Sequence, residues 1–197
     1  MDKDWNFRFL QWHVPVTAEI IRSHPEIEWD PYWLGFNLSI TWDDAQTMRF
    51  WMMRFLMNHE SVTWKIIQEH QHELCNPAIV SSNPNITWDI VQAHPEFPWS
   101  YDYLSKNVNI TWEIVQAHLD KLWCFEMMSL NPNITWEIVR ANPDKPWNFD
   151  LLSSNVNITM EIVFSHPDLP WSFHRLSQNW MSKDSFFDKR QLSYVLK

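Results

Sequence analysis

Four times between residues 85 and 163 the chain writes nearly the same seven residues. Asn85-Ile86-Thr87-Trp88-Asp89-Ile90-Val91 returns as Asn109–Val115, as Asn133–Val139 and, with Met160 in place of Trp, as Asn157–Val163, each 24 residues after the last. A fixed period of this length predicts tandem supersecondary units, each too small to bury its apolar face except against a neighbour.

Within the unit a second Trp stands 12 residues after the repeat Thr, at Trp99, Trp123, Trp147 and Trp171. Each half therefore has its own apolar cluster. In the first half, Trp112, Ile114, Val115 and Ala117 fall at the spacing of a short amphipathic helix. Thr111 is placed to cap it, and Ile110 with Val115 matches a hydrophobic staple. Glu113 puts negative charge in the first turn, where the helix dipole favours it.

His94-Pro95, Asn142-Pro143 and His166-Pro167 predict the stop, because proline disfavours α geometry in the residue before it. Pro98, Pro146 and Pro170 then suit the first turn of a second helix, which closes near Asn83, Asn107, Asn131, Asn155 or Asn179. With a single glycine, Gly35, Asn and Pro carry the turn duty. A β-solenoid coil is the competing reading, since Asn-Ile-Thr-Trp has strand propensity. The Glu-Ile-Val-Gln-Ala-His run, the paired prolines and the lack of corner glycines favour helix pairs.

The expected fold is all-α: one α-solenoid of short two-helix units of 24 residues, spanning residues 1–197. An opening half-unit covers 5–16, units follow over 17–182, and 183–197 forms a C-terminal cap over the last apolar face. The stretch 41–82 is irregular, with Thr63 only 22 residues after Thr41 and Cys75 where Trp is expected. The 15 Trp residues are expected as inter-unit core, Trp88, Trp112 and Trp136 with Trp99, Trp123, Trp147 and Trp171. The Asn column at 83, 107, 131, 155 and 179 is expected as a ladder holding backbone groups of the turn or of the adjoining unit.

A net charge of −9 argues against general nucleic-acid binding, which needs a basic stripe. No secretory signal opens the chain and no run is long enough to span a bilayer. The sequons at Asn37, Asn85, Asn109, Asn133 and Asn157 therefore read as the unit's own capping segment. The His column (His24, His70, His94, His118, His166) reads as helix C-terminal residues satisfying final carbonyls, and Asn142 replaces one of them. His70, His72 and Cys75, with His59, have a metal-like look but lack a matching second ligand pair. No cofactor or metal is expected, and no phosphate loop, Ser elbow or His-Glu-X-X-His suggests an enzyme.

Two features suggest a binding surface. Glu96, Asp120, Asp144 and Asp168 recur in the inter-helix turn and could attract a basic partner. The run Met48–Met57, with Met52, Met53 and Arg54 at its centre, could be a soft adaptable patch or irregular core.

Asn-Ile-Thr-Trp-Glu-Ile-Val followed by His-Pro-Asp-X-Pro-Trp resembles a short Trp-rich repeat in proteins of giant, amoeba-infecting DNA viruses of the mimivirus kind. The resemblance runs from Trp5 to about Asn179 and weakens over Thr41–Ile79. It implies a viral origin and a tandem-repeat fold, and it brings no activity or site residues with it. The functional expectation is a non-catalytic protein–protein interaction scaffold, with a viral or host protein as partner. The alternative is a structural component of a virus particle or assembly site. The expected location is host cytoplasm or viral assembly site, without secretion. The oligomeric state is left open.

Overall fold

The computed structural model describes residues 15–30, 34, 37, 39–47, 59–74 and 76–182. The opening half-unit at 5–14, the Met-rich run at 48–57, Cys75 and the cap at 183–197 lie outside the described residues.

Twelve helices and no strand occur among the described residues. In order they are α1 (Ala18–Ser23), α2 (Trp42–Thr47), α3 (Trp64–Leu74), α4 (Pro77–Ser81), α5 (Trp88–Ala93), α6 (Tyr101–Ser105), α7 (Trp112–Ala117), α8 (Phe125–Met128), α9 (Trp136–Ala141), α10 (Phe149–Leu152), α11 (Met160–Ser165) and α12 (Phe173–Ser182). Most have four to six residues. Helices this short are unstable alone, since nucleation costs more than one turn returns. Their stability has to come from packing.

Each first helix starts as its wording predicts. The hydroxyls of Thr87, Thr111, Thr135 and Thr159 accept from the N–H three residues on, at 3.4–3.5 Å. In α2 the cap is reciprocal: Thr41 accepts from the Asp44 N–H, and the Asp44 carboxylate accepts from the Thr41 N–H at 3.0 Å. This is a capping box with Asp as the returning acid. The chain leaves the helix at His94, His118, Asn142 or His166, whose backbone N–H closes the last turn.

One expectation is corrected. Pro98, Pro146 and Pro170 do not open the second helices, which begin three residues later at Tyr101, Phe149 and Phe173. The Pro-Trp pair belongs to the connecting turn, where the Trp99 N–H donates to the Phe97 carbonyl at 2.8 Å. The Trp99 indole N–H then returns to the His94 carbonyl at 2.8 Å. Trp123, Trp147 and Trp171 repeat that bond at 2.8 Å to His118, Asn142 and His166. The second Trp thus staples the end of the first helix while its ring joins the core.

The core is one apolar cluster running through the described units. Ile86, Ile110, Ile134 and Ile158 ahead of the caps are buried, as are Leu104, Met128, Leu152 and Leu176 in the second helices. Helix α6 packs against α4 on one side and α8 on the other. Indoles interleave across units: Trp88 lies 5.5 Å from Trp123, Trp112 lies 6.0 Å from Trp147 and Trp136 lies 5.7 Å from Trp171, centroid to centroid. Such tilted aromatic pairs contribute about 0.5–1.5 kcal/mol beyond the area they bury.

Polar columns run beside this core. Asn107, Asn131, Asn155 and Asn179 each donate through Nδ2 to the carbonyl of the Asn 24 residues earlier, at 2.8–2.9 Å. The Oδ1 atoms of Asn107, Asn131 and Asn155 face the local turn, and Asn131 accepts from the Asn133 N–H at 2.8 Å. Among the described residues no backbone φ is positive, so the turns close without left-handed residues. Side-chain amides satisfy their carbonyls instead.

Candidate partner-binding surface

The connecting turns between the two helices of a unit recur as exposed segments. Pro95 and Glu96, Leu119 and Asp120, Pro143 and Asp144, and Pro167 and Asp168 are all exposed, while the flanking Trp99, Trp123, Trp147 and Trp171 are drawn inward. The cap at one end and the indole staple at the other fix where each turn leaves the core.

The structure places the four predicted acids at equivalent turn positions but does not leave them equally charged toward solvent. Glu96 lies 3.0 Å from His94 Nδ1. Its own backbone N–H and then the His94 ring hold its carboxyl below the usual range. Asp120 pairs with Lys121 at 3.0 Å and Asp144 with Lys145 at 2.8 Å. In both, the lysine hydrogen bond leads the downward shift of the acid. Asp168 is exposed and has Leu169 where Lys121 and Lys145 stand. Asp120 and Asp144 thus carry a paired lysine and Glu96 and Asp168 do not, so the turns are not an unbroken negative edge.

The histidines do different work from the sequence expectation. Backbone N–H groups, not imidazoles, close the helices. The rings of His94, His118 and His166 stack on Trp64, Trp88 and Trp136 of the preceding unit at 4.8–4.9 Å. Among the described residues of this column, Asn142 satisfies a final carbonyl through its side chain, donating to Ile138 O at 2.8 Å. His70 likewise packs on Trp42, at 5.2 Å. Among the described residues no three His, Cys, Asp or Glu side chains gather as a metal site. Met52, Met53, Arg54, and Cys75 of the metal-like cluster, lie outside the described residues.

The sequon asparagines are not part of the cap. Asn133 Nδ2 reaches the carbonyls of Val108 and Ile110 in the preceding unit at 2.7 and 3.1 Å, and Asn109 and Asn157 do the same one unit either side. These amides form a second set of rungs. A third column went unread in the sequence. Ser81, Ser105, Ser129 and Ser153 are fully buried, and their hydroxyls accept from the N–H of Ser100, Cys124, Asn148 and Ser172 at 2.9–3.0 Å. Their spacing of 24 was visible, but Ser in a helix is so often solvated that only the period could have marked it.

Between the turns at 95–99 and 118–121 lies a cavity of about 560 Å³, with Trp88, Phe97, Trp99 and Tyr101 as aromatic wall and Gln92, His118 and Lys121 as polar edge. That volume lies within the range of side-chain and small-ligand pockets. Neighbouring Leu119 and Leu122 are 66% and 83% exposed.

The fold and this surface define the class as an all-helical, Trp-rich protein of short capped helices. Comparison with protein-family models, with curated proteins and with solved structures gives no match. No described helix is long and apolar enough to cross a membrane.

Proposed function

We propose that the chain is an α-solenoid of 24-residue units acting as a non-catalytic scaffold, which holds another protein along its connecting turns. The observation that carries this reading is the division of labour within the unit. The Asn, Ser and Trp columns spend their polar and apolar groups on the preceding or following unit, as with Asn131 on Asn107 at 2.9 Å. The turns are left to solvent, together with outward helix positions such as Asp89 and Gln92. Repeat stacks of this kind expose an extended surface whose unit-to-unit variation sets specificity. The perturbed carboxyls identified at the turns are shifted downward by local hydrogen bonds. Such shifts hold them ionised, which suits charge pairing better than proton transfer.

The resemblance to mimivirus-type repeats supports a viral origin and a setting in host cytoplasm or at a viral assembly site, with a viral or host protein as partner. The test is a photo-crosslinking amino acid placed singly at Asp120, Asp144 and Asp168 in the full chain. Expressed in infected cells, it should capture a discrete protein partner, and raised salt before irradiation should reduce the yield. Absence of any protein adduct from all three positions would overturn the scaffold reading.

A further inference from the structure

Five Asn-X-Ser/Thr sequons stand in the chain, at Asn37, Asn85, Asn109, Asn133 and Asn157. Such a motif marks an acceptor for N-linked sugar where the asparagine lies on an accessible surface. Here the acceptor atom is the one that joins units. Asn85 Nδ2 donates to the carbonyls of Glu60 and Val62 at 2.7 and 3.1 Å. Asn109 Nδ2 reaches Pro84 and Ile86 at 2.6 and 3.0 Å, and Asn157 Nδ2 reaches Pro132 and Ile134 at 2.7 and 3.0 Å. Asn133 makes the same pair of bonds to Val108 and Ile110. Asn37, the remaining sequon residue, is buried.

An asparagine amide offers two donors, and in these four residues both go to the preceding unit. Transfer of an oligosaccharide from a lipid pyrophosphate forms a bond from Nδ2 to the first sugar carbon. The lipid pyrophosphate leaves, and one amide hydrogen is lost as a proton. The modified amide keeps one donor for two carbonyls, and its sugar ring stands where the preceding unit's backbone lies, 2.6–3.1 Å from Nδ2.

The order of events decides which process wins. Helices of four to six residues do not hold alone, and a repeat unit draws its stability from its neighbours. A newly made unit is therefore unfolded when its sequon first becomes reachable.

We propose that N-glycosylation and folding exclude one another in this chain, so that it reaches its fold only in a compartment without oligosaccharide transfer. The proposal uses contacts within the chain alone and stands apart from the scaffold reading.

The test directs the full chain, preceded by a cleavable secretory signal, into glycosylating cells. Glycosidase-sensitive gel mobility reads the sugar, and resistance to limited proteolysis reads the fold. The chain should emerge glycosylated and protease-sensitive, and an inhibitor of lipid-linked oligosaccharide synthesis should restore the resistant core. Thr87→Asp, Thr111→Asp, Thr135→Asp and Thr159→Asp, combined with Ser39→Ala, should restore it too, since Asp keeps a capping oxygen and the sequon needs Ser or Thr. Where that combined variant folds poorly without any sugar, the inhibitor decides alone. In a second measurement, a peptide of residues 107–113 should accept sugar from a microsomal transferase while the folded chain does not. A glycosylated chain as resistant as the unmodified one, sequons left empty on a folded secreted chain, or a folded chain modified as readily as the peptide would each overturn the proposal. So would a failure to fold that persists under the inhibitor, because sugar would then not be its cause.

Discussion

Asn131 Nδ2 donates to the backbone carbonyl of Asn107, 2.9 Å away and 24 residues earlier, and Asn107 makes the same bond to Asn83. Asn131 also lies 2.9 Å from the carbonyls of Ser105 and Ile110. One fully buried amide thus serves three acceptors of the preceding unit and one donor of its own turn. Removing it takes the side-chain partner from the Ser105 carbonyl and the Asn133 N–H, while the carbonyls of Asn107 and Ile110 each keep another donor.

Asn131→Ala is therefore expected to cost on the order of 3 kcal/mol, from the Ser105 carbonyl and the Asn133 N–H left without this partner. Asn131→Asp should cost at least as much at neutral pH, since a carboxylate has no donor to offer three carbonyl oxygens. Urea unfolding of both variants checks this. A midpoint matching the parent would remove the ladder from the account.

Ser129→Ala should destabilise by about 1–2 kcal/mol, because it leaves the half-buried N–H of Asn148 without its acceptor. Ser177 provides the contrast: it is exposed and its hydroxyl donates only to His174 O, at 2.7 Å. Ser177→Ala should stay within about 0.5 kcal/mol. Thermal melts that rank the two in the opposite order would contradict the role given to the Ser column.

Trp136 stacks on both His166 and Trp171 of the following unit, so Trp136→Ala opens the joint between units. A loss of about 3–5 kcal/mol is expected. Amide hydrogen exchange should show lost protection in α11 and α12 as well as in α9.

His59 occupies the Asn column and imitates its acceptor. Its Nδ1 accepts from the Ser61 N–H at 3.1 Å, as Asn83 Oδ1 accepts from the Asn85 N–H. That role requires an unprotonated Nδ1, and the Nε2 opposite it is buried without a partner. Burial pushes the imidazole below its ordinary value, with Glu60 opposing. The unfolded chain therefore binds the proton more readily than the folded one. The contribution is present above about pH 6.5 and is lost as pH falls through the folded pKa. His59→Asn should flatten the fall in stability below about pH 6.5, measured as urea midpoints against pH. An identical profile in the variant would remove His59 as the cause.

Much of this was legible because the same physics is written repeatedly. Thr111 as cap and Ile110 with Val115 across the helix start could be read from local spacing alone. The Asn ladder could be read because turns without glycine must satisfy their carbonyls by side chains. What escaped was decided by direction rather than spacing. Trp99 bends back to the His94 carbonyl instead of opening a helix, and His118 lies on Trp88 instead of on a helix end. Nothing local says which way a ring will turn. At the turns, Asp120 and Asp144 were visible as a column, but Lys121 and Lys145 count against them only once paired in space.

The central claim is that each unit recognises its neighbour by the same contacts, so that one unit can stand for another. Deleting residues 109–132, one period of 24, joins Val108 to Asn133 and offers Asn155 the carbonyls of Ser105 and Asn107 in place of those of Ser129 and Asn131. Deleting only residues 109–128 destroys that register. Urea unfolding followed by far-ultraviolet circular dichroism compares the two. The 24-residue deletion is expected to unfold cooperatively with a smaller denaturant slope, in keeping with its smaller buried surface, while the shorter deletion loses its transition. Two deletions that behave alike, both folded or both collapsed, would contradict the claim.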